Sequence, residues 1–110
     1  MSKSGAELIT EERHRQLSEE GWTAEHDSQH MKGELAIAGA CYALDYVAES
    51  ADPTAEGCYQ VGNDFWPWKG GTFKTTPDDP VRQLTKAGAL IAAEIDRINH
   101  SSKNTGVVGE

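Results

Sequence analysis

From Leu35 to Leu44 the chain reads Leu-Ala-Ile-Ala-Gly-Ala-Cys-Tyr-Ala-Leu, apolar at every helical position and rich in small residues. A helix apolar on all faces is a buried one. The pattern predicts a central helix starting near His30 or Met31 and ending near Glu49, with Ala and Gly positions where neighbours approach closely. Before it, Ser4-Gly5-Ala6-Glu7 has the spacing of a capping box, and helical periodicity then runs to about Glu20, with Gly21 suited to end it. On this first helix Ile9, Glu12, Arg13, Gln16 and Glu20 share one face, so the stripe that should meet the core is polar in its middle. Asp79-Pro80 is a side-chain cap followed by proline at the first helical position, and it opens a third helix extending to about Ile98. After His100 the residues are turn formers without periodicity.

Between the second and third helices lie about thirty residues, Ser50 to Asp79, that hold five of the eight aromatics: Tyr59, Phe65, Trp66, Trp68 and Phe73. Disordered segments are poor in aromatics, so this connection should fold back onto the helices as a core plug or as a wall for a flat ligand. Gly57 to Gly62 has the composition of a short strand that pairs with Thr72-Phe73-Lys74-Thr75 as a hairpin. The expected fold is all-α: a small three-helix domain over residues 1–100 with a long aromatic-rich connection, and a flexible tail over 101–110.

Such a chain has room for one modest core, and homo-oligomerisation is a common way to cover what remains. The net charge of −8, from 18 acidic and 10 basic residues, argues against a duplex nucleic-acid partner, because no basic stretch offers phosphate neutralisation. A small anionic ligand is compatible with it, since a few cations in one pocket matter more than the total. No stretch has the apolar length of a membrane span or the core of a signal peptide, so no membrane partner and a cytoplasmic location are expected. Cys41 and Cys58 have no metal-type spacing and read as free thiols, Cys41 within the core.

Glu12-Arg13-His14-Arg15-Gln16, Gly21-Trp22-Thr23-Ala24-Glu25-His26-Asp27, Gly33-Glu34-Leu35-Ala36, Cys41-Tyr42-Ala43, Trp66-Pro67-Trp68 and Lys86-Ala87-Gly88-Ala89-Leu90-Ile91 succeed one another along nearly the whole chain. As a set they resemble a family of short phage and prophage proteins. The resemblance implies a viral or prophage origin, hence the host cytoplasm, rather than a particular chemistry. Relatives often carry a further Trp-Trp-Lys-Pro, where this chain reads Lys69-Gly70-Gly71-Thr72-Phe73-Lys74, with Phe73 and Lys74 in place of that aromatic and cation. Phage proteins of this size include nucleotide sponges, which sequester cyclic nucleotides of bacterial defence without cleaving them; the analogy is one of origin and size.

Three constellations carry chemistry. Arg13 and Gln16 either fix helix register with Glu12 or line a pocket beside the central helix, with Trp22 and His26 joining from the next segment. Trp66, Trp68, Lys69, Phe73, Lys74, Arg82 and Lys86 bring flat rings and cations into one half of the chain, and stacking of a base on an aromatic contributes about 1–3 kcal/mol. Arg13, Gln16, Trp22, His26, Trp66, Trp68, Lys69, Arg82 and Lys86 form the expected ligand site for a small nucleotide-like molecule. His26, Asp27, His30 and Glu34 resemble a metal set but serve equally as a cap and local hydrogen bonds, so neither a metal nor another cofactor is expected. Glu12, Asp27, Glu34 and Glu94 would have to converge in the alternative reading, a metal-dependent all-α nucleoside triphosphate pyrophosphohydrolase. The paired acidic motif of such enzymes is missing, and no catalytic residue is assigned. A third reading is an inhibitor that meets a host protein through its acidic surface and Trp-rich connection.

Overall fold

The computed structural model describes residues 2–19, 33–52, 54, 56–68 and 71–104. These form four α-helices, α1 (Gly5–Glu19), α2 (Glu34–Tyr46), α3 (Glu56–Asp64) and α4 (Pro80–Asn104), with one π-helical stretch, Val47–Ala51, continuing α2. The protein is a small all-α fold, and the described residues include no strand.

The capping box is formed. Glu7 N donates to Ser4 Oγ at 3.1 Å, and Ser4 N donates to Glu7 Oε1 at 2.8 Å. Asp79 likewise caps α4, its Oδ1 accepting from Arg82 N at 3.0 Å. This last helix continues through Asn104, past the expected end near Ile98, and residues 105–110 lie outside the described ones. The central helix also differs from its predicted start. Gly33 is left-handed, with φ of 82°, which a continuous right-handed helix cannot pass through, so α2 begins at Glu34.

The core lies between α2 and α4, where Leu35, Ala38 and Tyr42 pack with Ala87, Leu90 and Ala93. Gly39 permits the close crossing of these helices: a Cβ there would stand 3.0 Å from the Ala87 carbonyl oxygen and 3.1 Å from Ile91 Cγ1. Ala36, Ile37 and Ala40 remain exposed, so one side of this apolar helix is left uncovered within the single chain. The first helix covers the opposite side of α4, with the Ile9 side chain laid over Gly88.

Among the described residues the expected three helices are four, because Glu56–Asp64 is helical and the hairpin is absent. In so short a segment, Cys58 and Gly62 share a face in a strand and in a helix alike, so periodicity alone cannot separate the two. Contact with α2 decides it. Gly62 is buried there, and a Cβ at that position would lie 3.1 Å from the Cys41 carbonyl oxygen.

After α3 the chain folds back as an aromatic plug. Trp66 and Phe73 stack with centroids 4.5 Å apart, and both pack on Tyr42 at 5.4 Å and 5.1 Å. Trp68 adds an edge contact to Trp66 at 5.3 Å. Gln83, 1% exposed, fastens the end of this connection: its Oε1 accepts from Thr76 N at 2.7 Å, while its Nε2 donates to the Tyr42 carbonyl and to Asp45 Oδ2.

Candidate ligand-binding cleft

The polar stripe of α1 is buried. Glu12 is 3% exposed, and Arg13 and Gln16 are buried beside it. Arg15 grips the Glu12 carboxylate with two hydrogen bonds, Nε to Oε1 at 2.9 Å and Nη2 to Oε2 at 2.8 Å. Arg82 of α4 reaches across with Nη1 to Glu12 Oε1 at 2.6 Å. Burial alone would raise the Glu12 carboxyl, but the hydrogen bonds and charges of Arg15 and Arg82 outweigh it and hold the group at about 2. The carboxylate is therefore a permanent negative charge at neutral pH.

Beside this cluster opens a cleft of about 500 Å³, lined by Glu12, Arg15, Gln16, Tyr42, Thr72, Lys74, Arg82, Lys86 and Leu90. Among the described lining residues four cations thus accompany one carboxylate, a formal excess of three positive charges in a chain of net charge −8. The long connection supplies Lys74 because its backbone is held on both sides. Lys74 N donates to the Tyr42 hydroxyl at 3.2 Å, and Lys86 Nζ donates to the Lys74 carbonyl at 2.8 Å. Lys86 also lies 5.5 Å from the Tyr42 ring centroid, within cation–π range. Burial first, then the neighbouring positive charges of Arg82, Arg15 and Lys74, lower the Lys86 ammonium from the usual lysine value against the opposing pull of Glu12. An arriving anion would relieve that crowding.

A second cleft of about 400 Å³ shares Glu12, Arg15 and Arg82 but adds Glu11 and Asp79, with Leu8, Val81 and Thr85. Among its described lining residues carboxylates outnumber cations, the reverse of the larger cleft.

Of the residues expected at a ligand site, Gln16, Arg82 and Lys86 line this cleft. Arg13 is not among the described residues that line it. Its Nε donates to Asp96 Oδ2 at 3.2 Å, and its Nη1 makes a long 3.5 Å contact with Gln16 Oε1, so it supports Gln16 and ties α1 to α4. Trp66 and Trp68 belong to the plug. The Trp66 indole N–H donates to Thr72 Oγ1 at 2.9 Å, which places Thr72 at the cleft's edge. Trp22, His26 and Lys69 lie outside the described residues, as do Asp27 and His30. Arg15 was absent from the expected set, though its spacing of three from Glu12 is the signal of a same-face ion pair. Tyr42 was hidden in an apolar run, and Lys74 was visible only as part of the cation-rich connection.

Two of the four carboxylates that the alternative reading needs are paired with arginines. Glu12 is bound by two arginines, and Glu94 accepts from Arg97 Nε at 2.8 Å and Nη2 at 3.3 Å. Among the described residues no group of three His, Cys, Asp or Glu side chains is arranged to hold a metal ion. Cys41 and Cys58 are free; Cys41 is buried, and burial pushes its thiol above the usual value, as befits an inert core residue. No helix of the described residues is long and apolar enough to cross a membrane.

No family model, curated protein or solved structure matches this chain.

Proposed function

We propose that the protein is a non-catalytic binder of a nucleotide-like anionic ligand, held in the cleft between α1, α4 and the aromatic connection. The observation that carries this reading is the concentration of Arg15, Lys74, Arg82 and Lys86 in one cleft, with Glu12 the one carboxylate among its described lining residues, on an otherwise acidic molecule. The volume of about 500 Å³ falls within the range of small-molecule sites. Arg and Lys side chains that already have fixed partners need little ordering when a phosphate arrives, which favours affinity. Binding without turnover accords with the engagement of Glu12 and Glu94 by arginines.

The resemblance to short phage and prophage proteins supplies the setting. In that setting the protein sequesters a nucleotide signal of host defence, a cyclic nucleotide among the candidates, in the host cytoplasm. We further propose that it acts as a homo-oligomer. Support comes from the exposed apolar side chains of α4, Val81, Leu84, Ile91, Ile95 and Ile98, which succeed one another along the helix at intervals of three, seven, four and three residues and so share one side.

The test is recovery of ligand. Nucleoside triphosphates and cyclic nucleotides incubated with the protein and magnesium should be retained on it and return chemically intact on denaturation. Turnover that disappears in Glu12→Gln would replace the binder with the hydrolase.

A further inference from the structure

Charge is distributed unevenly within the cleft, and its consequence for the ligand rests on the proposed anion-binding function. Arg15 and Arg82 share Glu12, so this trio carries a formal excess of one positive charge. Lys74 and Lys86 form a second pair, joined by the 2.8 Å bond from Lys86 Nζ to the Lys74 carbonyl, and that bond leaves two of the three ammonium donors of Lys86 for other acceptors. No carboxylate other than Glu12 lines the cleft among the described residues.

We propose that the cleft takes two adjoining phosphate groups, the diphosphate portion of a phosphorylated ligand, one on the Lys74 and Lys86 side and the next on the Arg82 side. Glu12 stays in place as an internal counter-charge. It holds both guanidinium groups and limits the positive excess of the described lining residues to three. A phosphate monoester brings about −1.5 to −2 charge at neutral pH and leaves part of that excess uncompensated. A phosphodiester such as a cyclic mononucleotide leaves more. Two adjoining phosphates meet it, and their acceptor oxygens match the lysine and arginine donors that line one cavity.

The experiment is calorimetric titration of the full-length protein at fixed ionic strength with inorganic phosphate, pyrophosphate, adenosine diphosphate and 3′,5′-cyclic adenosine monophosphate. Pyrophosphate should bind at least about tenfold more tightly than phosphate, a difference of about 1.4 kcal/mol. Lys74→Ala, an exposed position, should remove most of that preference while leaving the melting temperature unchanged, and Lys86→Ala should remove it as well. Equal affinities for phosphate and pyrophosphate, or a preference indifferent to Lys74→Ala, would overturn the diphosphate assignment. In that event, binding of either nucleotide would leave the broader anion-binding function standing. No binding of any of the four would remove both.

Discussion

Arg82 Nη1 lies 2.6 Å from Glu12 Oε1, and this contact between residues seventy positions apart joins the first helix to the last at the edge of the cleft. The carboxylate is buried, whereas the two arginines are about one-third exposed. Loss of one arginine therefore matters mainly through what it leaves behind. Arg82→Ala keeps Arg15 on the carboxylate but removes the cross-helix donor, and should destabilise the fold by about 1–3 kcal/mol. A lowered urea midpoint with an unchanged slope is the expected readout.

The same contact predicts a pH dependence. Glu12 is held at about 2 in the folded chain against an ordinary value of 4.5, so its contribution to stability is complete above about pH 4.5 and is lost as the pH falls toward 2. Melting curves of wild type and Glu12→Gln should differ most at pH 7 and converge near pH 2. A constant gap across that range would show that the carboxylate's charge is not what stabilises the cluster.

Asp45 predicts the opposite sign. Its burial, followed by repulsion from Glu49, raises its carboxyl above 3.8, against the lowering effect of the Gln83 hydrogen bond. A raised carboxyl favours folding at low pH and opposes it once ionised. Asp45→Asn, which retains an acceptor for Gln83, should raise the melting temperature at pH 7, and the gain should shrink as the pH falls through the raised folded-state value toward 3.8 and be absent below it.

The tryptophans of the connection should separate by position. Trp66 contacts Tyr42, Phe73 and Trp68 and donates to Thr72, so Trp66→Ala should cost about 3 kcal/mol, near the low end for loss of an aromatic from a core. Trp68, whose ring pairs with Trp66 at its edge, should cost less when truncated. If Trp66→Ala melts like wild type, the plug does not hold the cleft together.

Self-association is measured by light scattering at micromolar concentration. Ile91, Ile95 and Ile98 are 47%, 54% and 48% exposed, and a mass above one subunit is expected, falling toward the monomer in Ile95→Glu. A monomeric mass for the wild type would contradict the proposed homo-oligomer.

The helical architecture was legible wherever capping and periodicity agreed, as at Ser4–Glu7 and Asp79–Pro80. The polar middle of α1 was also legible as an anomaly, since Glu12, Arg13 and Gln16 fall where apolar residues belong. Their partners were not. The reading of one shared face joined Glu12 with Arg13, whereas the fold pairs Glu12 with Arg15, three residues on, and with Arg82, and pairs Arg13 with Asp96. Which of two nearby arginines turns toward a distant helix depends on how α1 crosses α4, and that is a tertiary property. The aromatic connection was expected to fold back onto the helices, and Trp66, Trp68 and Phe73 do pack against the core, where they position Thr72 and Lys74 instead of lining the described cleft themselves. The helical state of Glu56–Asp64 depended on the close approach of Gly62 to α2, which no pattern within the segment contains.

The central claim, that the cationic cleft is the ligand site, is tested most directly by mapping amide chemical shifts during titration with adenosine diphosphate. The perturbed amides should cluster on Gln16, Thr72, Lys74, Arg82 and Lys86, and the changes should vanish in Lys86→Ala. Perturbations centred on another surface, or none at saturating nucleotide, would contradict the claim.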